Sequence, residues 1–413
     1  MSHMTQSHRR AFVVPTVFRL CLPRQLISHD AKFLVQKRSK TASSSRRTFT
    51  RVFATSSAST TLFENSTEMA TTQDRIMGAF WGLFIGDALA MPAHWYYDTS
   101  ALRRDFGTIR DYVNPSQYHP DSILWRSRID GINSKGDFLG DQRQYYGQRG
   151  VHYHKVLKKG QNTLNLQVAK VLMRCIADQK AYDSDVFLNQ YVKYMLNTPN
   201  KDTYAEVYHR EFFANYSKDK PLRQCAGEEG HDTASIGGLV SITPLALFLS
   251  NGNPAVPDRI CLEHLRLTHK SAKLERYATV LTTLLVDLIR GEEIEKAVAS
   301  AAAKLGLKDL PKLAHSQDKV IGGVFGSACY IESSLPAVLY LATKYPHDIE
   351  GALIENTNAG GDNCHRGAVL GAILGAANGV NAIPKRWVDG LADRDTLSAL
   401  IGSLAALSTS PSS

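Results

Sequence analysis

The stretch Asn358-Ala359-Gly360-Gly361-Asp362-Asn363-Cys364-His365-Arg366-Gly367 gathers a carboxylate, a thiol and an imidazole within four residues. A Gly-Gly turn that opens onto a helix leaves the first backbone amides free to cradle an anion. Asp362 then falls at the helix N-terminus, with Cys364 and His365 in the first turn. The helix dipole, and His365 if protonated, favour a thiolate at Cys364. Cys364 is therefore the leading nucleophile or soft metal ligand, the plainer alternative being an inert buried thiol. Adjacent helical residues point about 100° apart, so Cys364 and His365 need not touch. The segment Gly86-Asp87-Ala88-Leu89-Ala90-Met91-Pro92-Ala93-His94 supplies a second imidazole, and His94 is the better partner for the thiol. Asp87 at the end of that apolar run can equally be a cap.

These groups must be carried by helices. From about Thr72 the apolar residues recur at three- and four-residue spacing, which predicts an all-α chain. Segments are expected at Leu164–Ile176, Asp185–Leu196, Leu262–Leu267, Ser271–Ile289, Glu292–Lys304, Ser334–Lys344 and Asp348–Asn356, with Ser334-Leu335-Pro336 as a helix start. Residues 106–160, rich in Gly, Asp, Tyr and Arg, read as a long loop able to roof a site. Gly78, Gly82 and Gly86 recur every fourth residue, as do Gly367, Gly371, Gly375 and Gly379. Fours fall on one helix face, and glycine costs a helix roughly 1 kcal/mol against alanine, so close backbone packing is the compensating reason. If the two faces meet, Asp87 lies near Asp362 and the two ends of the domain close the core.

The order and spacing of Ile76-Met77-Gly78-Ala79-Phe80-Trp81-Gly82-Leu83-Phe84-Ile85-Gly86-Asp87-Ala88, Leu267-Thr268-His269, Glu332-Ser333-Ser334-Leu335-Pro336-Ala337 and Asn358-Ala359-Gly360-Gly361-Asp362 resemble the ADP-ribosylglycohydrolase family, which includes the dinitrogenase-reductase-activating glycohydrolases and the jellyfish J1 crystallins. The resemblance covers about residues 72–382. It implies a single large, roughly orthogonal all-α domain with one cleft, two magnesium ions held between helices, and cleavage of the glycosidic bond at the ribose carbon of ADP-ribose.

Several positions depart from the family pattern. Its Thr-Asp-Asp run is Thr163-Leu164-Asn165 here, its Gly-Gly-Asp-Thr-Asp-Thr is Gly360-Gly361-Asp362-Asn363-Cys364-His365, and its glutamate after the Gly-Asp-Ala-Leu turn falls on His94. Asp362 is the one metal ligand retained, should a metal bind. In a thiol reading, His94 or His365 takes the thiol proton, Cys364 attacks an electrophilic carbon and Asp362 orients the imidazole. In a zinc reading the same groups hold a metal that activates water. No pair has a recognised zinc spacing, so the thiol reading leads and no cofactor is expected, magnesium or zinc being the alternatives. Asp87, Thr163, Asn165, Gly360, Gly361, Asn363, His231 and Asp232 are assigned to substrate. Within Glu228-Glu229-Gly230-His231-Asp232-Thr233, a capping Asp232 or Thr233 competes with a substrate-facing His231. His152-Tyr153-His154 can line a phosphate or carboxylate site or be solvated. Trp95, Trp125, Tyr145 and Tyr146 can stack on a planar ring or pack as a lid, and His269 reads as a packing residue.

The net charge of +9 suggests an anionic partner until it is located. Residues 1–60 hold 11 of the 48 Lys and Arg, one of the 39 Asp and Glu, and 17 Ser or Thr, leaving 37 basic against 38 acidic residues elsewhere. An Arg- and Ser-rich, acid-poor leader without an apolar core reads as a transit peptide for a mitochondrion or plastid. The expected organisation is a leader over 1–70, the helical domain over 71–405 and a tail over 406–413. No run of 18 apolar residues occurs, so no membrane span is expected. Six scattered cysteines without a C-x-x-C pair favour a reducing compartment. A near-neutral body argues against nucleic acid and leaves a small-molecule substrate, with the oligomeric state open. The expected activity is that of an organellar hydrolase of the glycohydrolase type acting on a small polar metabolite or glycoside. The alternatives are a metal-dependent ADP-ribosyl hydrolase and a non-catalytic, crystallin-like binding protein.

Overall fold

The computed structural model describes residues 70–199, 201–253, 255–315 and 319–410, so nearly all of the expected leader lies outside the described residues. The helices that build the core are, along the chain, α1 (Thr72–Ala90), α2 (Leu164–Gln179), α3 (Val207–Tyr216), α4 (Ile236–Leu249), α5 (Ala272–Ile289), α6 (Ile331–Lys344), α7 (Ile349–Asn358), α8 (Asn363–Asn378) and α9 (Arg394–Thr409). No β-strand is present among the described residues, only isolated bridges such as Ser235 with Tyr330. The all-α expectation holds.

A capping box starts α1: the Thr71 hydroxyl accepts from the Asp74 amide at 3.1 Å, and the Asp74 carboxylate accepts from the Thr71 amide at 3.1 Å. From Gly78 to Ala90 every residue of α1 is buried. Its glycine face meets that of α8. A Cβ on Gly82 would stand 2.0 Å from the Gly371 carbonyl oxygen, one on Gly86 2.0 Å from that of Gly367, and one on Gly78 2.6 Å from that of Gly375. Backbones this close exclude any side chain. The remaining faces of α8 are covered by α4, α5, α6 and α7, while α9 closes over α1 and α2. The segment Thr72–Ala93 is long and apolar enough to cross a membrane, yet 94% of its apolar window is buried inside the protein, as befits a central core helix.

Two local expectations are corrected. Pro336 does not start a helix: α6 begins at Ile331 and carries Pro336 inside, with the Ser334 hydroxyl bonded back to the Tyr330 carbonyl at 2.8 Å. The helix ending near Leu267 starts earlier, at Ala255, and stops at Leu265. The C-terminal tail is helical as far as Thr409, because Leu397, Ile401, Leu404 and Ala405 bury one face against the core. The loop region begins after a short helix at Thr99–Phe106 and reaches Thr163 with only short 3-10 turns.

Gly82→Ala or Gly371→Ala should destabilise by more than about 3 kcal/mol or prevent soluble folding, because the clash is with backbone. Gly402→Ala in α9, where a Cβ meets nothing within 4 Å, should be neutral or stabilise by up to about 1 kcal/mol. Thermal melts of the three variants check both.

Candidate functional site

The glycine contact sets the end of α1 beside the start of α8. The Gly-Gly turn is threaded tightly: Gly360 and Gly361 have φ of +66° and +63°, and a Cβ on the first would fall 2.2 Å from the Tyr96 carbonyl oxygen and on the second 2.1 Å from that of Ser327. The Trp95 amide donates to the Gly361 carbonyl and the Gly361 amide to the Tyr96 carbonyl, each at 2.7 Å, while the Asp362 amide donates to the Ser327 carbonyl at 2.8 Å. Fully buried Arg366 clamps the turn by donating to the carbonyls of Ser327 and Gly360. Trp95 itself sits in the left-handed region at φ +60°, a strained conformation that this backbone exchange maintains. The two glycines, assigned from sequence to substrate, are thus engaged with the protein's own backbone.

These constraints bring imidazole and carboxyl groups together in the interior. His94 Nε2 is 2.9 Å from Asp362 Oδ1, His94 Nδ1 is 2.7 Å from His154 Nε2, and His154 Nδ1 is 2.7 Å from Asp202 Oδ2. His365 Nδ1 lies 2.8 Å from the same Asp362 oxygen and 3.3 Å from Glu206 Oε1. It makes a hydrogen bond to neither, and Asp362 Oδ2 also has no partner. All of these groups are buried, Glu206 at the margin. Burial lowers His94 well below the usual histidine range and outweighs the attraction of Asp362. Burial also opposes charge on His365, but Asp362 and Glu206 outweigh it and raise that imidazole to about 10. Burial would raise Asp362, yet His365 and His94 together hold it well below the carboxylate range.

The start of α2 is held by two further carboxylates. Asp87 accepts from the Thr163 hydroxyl at 2.6 Å, the Thr163 amide at 2.9 Å and Asn162 Nδ2 at 2.9 Å. Asp202 accepts from the Leu164 amide at 3.1 Å. Both occupy the positive end of the helix dipole. Asp87 and Thr163, assigned from sequence to substrate, thus bond each other at 0% and 2% exposure, and Asp87 caps a helix other than its own. Asn165 in the first turn of α2 bridges His365 Nε2 at 3.0 Å to the Tyr208 hydroxyl at 2.8 Å and His209 Nε2 at 3.2 Å on α3. Asn363, also assigned to substrate, is buried, and its side chain donates to the Thr357 carbonyl at 2.8 Å and so braces the turn.

A cavity of about 450 Å³ opens in front of this cluster, walled by Trp95, Tyr97, Tyr153, Tyr204, Tyr208 and Tyr330. Its polar lining comprises Glu206, Asp232, His231 and Arg126, and the presence of Ile123, Arg126 and Tyr153 in its wall means that the long loop roofs it. The Trp95 ring stacks on His94 with centroids 3.8 Å apart, and Trp95 and Glu206 both line the cavity where it meets the cluster. His231 is exposed and bonds the Tyr330 hydroxyl, and Asp232 stands on the rim. Neither Asp232 nor Thr233 caps α4, whose N-cap is Ser235. Trp125 stacks on Arg149 at the surface, 3.7 Å from the guanidinium, and the Tyr146 hydroxyl accepts from the Ala205 amide at 3.1 Å. Tyr145 ends a 3-10 turn outside the cavity wall. His269 is buried against the Thr268 hydroxyl at 2.8 Å, a packing role.

Cys364 does not meet the expectation of a dipole-favoured thiolate. It is 0% exposed, packed with Ala90, Met91 and Leu157. Burial and then the negative charges of Asp87, Asp362 and Asp202 raise its thiol well above the ordinary range, against a smaller opposing pull from Arg366. The dipole is overruled. Sequence reasoning also missed Glu206 and Asp202, whose local sequence, Lys201-Asp202-Thr203-Tyr204-Ala205-Glu206, follows no recognisable spacing. Of the loop histidines, neither is solvated: His152 donates from Nε2 to the Pro92 carbonyl at 3.0 Å, and His154 stands against the Asp202 carboxylate.

A magnesium pair needs several hard oxygen ligands around each ion. Around Asp362 this structure offers the imidazoles of His94 and His365, with Asn165, Cys364 and the Glu206 carboxyl beyond them, and the Asp362 Oδ1 oxygen is already shared by the two imidazoles. The donor set does not fit two magnesium ions. Even so, the helical frame is that of a known class: the ADP-ribosylglycohydrolase family model matches residues 68–413, and the chain belongs to that family. A solved "ADP-ribosylglycohydrolase-related protein complex" chain shares the fold, with a TM-score of 0.57 and 21% identity, covering 82% of this chain and 99% of that one. An uncharacterized protein of Archaeoglobus fulgidus is 48% identical over 61 residues, which are 15% of this chain and 18% of that protein.

Burial lowers His119 to about 4. Its Nε2 donates to the His94 carbonyl at 2.9 Å and its Nδ1 accepts from the Asp121 amide at 3.2 Å, so a second proton has no place. A folded value below the unfolded one means stability complete above about pH 6.5 and lost as pH falls toward 4, on the order of 3 kcal/mol for this group. Melting temperatures between pH 7 and 4.5 should therefore drop less steeply for His119→Gln than for the wild type; equal slopes would contradict the assignment.

Proposed function

We propose that this protein is a hydrolase of the glycohydrolase type, acting in a mitochondrion or plastid on a small polar glycoside or related metabolite that carries a planar ring. The observation that supports this reading best is the pair of carboxyl groups, Glu206 and Asp232, on one aromatic cavity. Glycoside cleavage needs a carboxyl that donates a proton to the leaving group and a second that serves the opposite face. Burial raises Glu206; His365 and a hydrogen bond from Asn165 oppose this, while the charges of Asp362 and, least, Asp232 add to it, and the net rise suits a proton donor. Asp232, on the solvent-exposed rim, suits the anionic partner. The aromatic wall, in which Trp95, Tyr153 and Tyr204 pack edge-to-face and Tyr97 is 46% exposed, suits a planar ring, and Arg126 offers a cation for an anionic substituent. His365, held through Nε2 by Asn165, stands 3.3 Å from Glu206 Oε1 and acts on that carboxyl through its charge rather than by reacting.

The organellar part of the proposal rests on the basic, acid-poor composition of residues 1–60. Cys364, buried and neutral, takes no part in bond cleavage. Release of reducing sugar from a panel of ring-bearing N- and O-glycosides is the test. Glu206→Gln should lower kcat by about 10²- to 10⁴-fold while the melting temperature holds, and Cys364→Ser should leave kcat within about threefold of the wild type. Wild-type turnover by Glu206→Gln, or tight ligand binding without any hydrolysis, would overturn the reading, the latter in favour of a binding protein.

A further inference from the structure

Three contacts link Asp362, His94, His154 and Asp202 in a row. Both ends are carboxylates and accept only, so each of the three contacts needs a hydrogen, while two neutral imidazoles carry only one each. The row closes by hydrogen bonds alone only if one ring is an imidazolium, in a place where His94 is 1% and His154 2% exposed. The shortage disappears if His94 Nε2 binds a cation in place of a proton. His94 Nδ1–H then donates to His154 Nε2, and His154 Nδ1–H donates to Asp202, with both rings neutral.

A second, independent observation points to the same place. His365 Nδ1 is close to Asp362 Oδ1 and Glu206 Oε1 but is directed at neither, and Asp362 Oδ2 is buried without a partner. Two buried donor atoms without partners, beside a His94–Asp362 bond that an ion can replace, make a ligand set: the donor atoms of His94, Asp362 and His365 all lie within 4.8 Å of one another. Metal bonds of about 2.1 Å place neighbouring ligand atoms about 3.0–3.4 Å apart. His94 Nε2 and His365 Nδ1 stand 2.9 Å and 2.8 Å from Asp362 Oδ1, just inside that spacing, so a bound ion spreads them slightly, and His365 Nδ1 stands 3.3 Å from Glu206 Oε1, within it. We propose that His94 Nε2, His365 Nδ1 and the Asp362 carboxylate form a mononuclear site for a borderline transition metal of the zinc class, with Glu206 facing its remaining side. Two imidazoles and a carboxylate favour zinc or cobalt over magnesium. His154 and Asp202 form the outer chain that fixes the His94 ring, as the partners of metal-bound imidazoles do. A rival set, His94, His154 and Cys364, would have to break the His94–His154 contact and give up this orientation.

This goes beyond the hydrolase reading and does not require it, so it is tested by binding rather than by turnover. Protein stripped with a chelator is titrated with zinc and, separately, magnesium by calorimetry, and the cobalt form is read by visible absorption. One zinc per chain, visible cobalt bands of nitrogen and oxygen ligation, no magnesium uptake and unchanged binding in Cys364→Ser are expected. His94→Ala and His365→Ala should lose the one-to-one binding, and His154→Gln should weaken it about 10- to 100-fold. A wild-type protein that takes up no zinc in molar excess overturns the proposal whatever the variants do. So does retention of one zinc by folded His94→Ala, or a thiolate charge-transfer band that disappears in Cys364→Ser.

Discussion

The contact between the glycine faces of α1 and α8 is the constraint on which everything else rests. It removes the side-chain layer that normally separates two helices, so that backbone meets backbone from Gly78 to Gly86. Only at that separation can the segment after α1 trade amide and carbonyl bonds with the Gly360-Gly361 turn, and only then do His94 and Asp362, 268 residues apart, come within 2.9 Å. The groups brought together are buried, and burial governs the chemistry. Burial keeps His94 neutral and makes Cys364 a plain thiol, whereas His365, caught between two carboxylates, is raised.

The family frame and the reactive interior have separated here. The helical frame is that of an ADP-ribosylglycohydrolase, while the positions at which the family resemblance implies carboxylates hold imidazole, amide and thiol. Such replacement is feasible because the backbone cradle is secured by groups outside the reacting centre. Arg366 clamps the turn, and Asp87 and Asp202 hold the start of α2. Side chains within that frame can change chemical class without loosening it.

Much of the frame was legible in the sequence. Glycines at four-residue spacing announced two helices in backbone contact, and the contact followed with the pairing expected. The Gly360-Gly361 turn, with Asp362 at a helix start and His94 arriving from another segment, was also readable. Less legible were groups whose importance arises from where the chain passes. Glu206 and Asp202 sit in a segment with no motif and become central because α3 and the preceding loop cross the start of α2. Pro336 misled because a proline after serine normally opens a helix, whereas here the helix runs from Ile331 and is held by the burial of every residue from Ser334 to Ala342.

By itself the sequence determined the helical class, the family, the glycine contact and the residues that the contact juxtaposes, because periodicity and backbone access are local properties. The tertiary structure decided the state of those residues. Whether Cys364 is a thiolate, whether Asp87 binds a ligand or caps a helix, and which carboxyl faces the cavity depend on the desolvation and charge supplied by neighbours distant in the chain. Electrostatic energies are set by distance and exposure in space, and no spacing along the sequence encodes them.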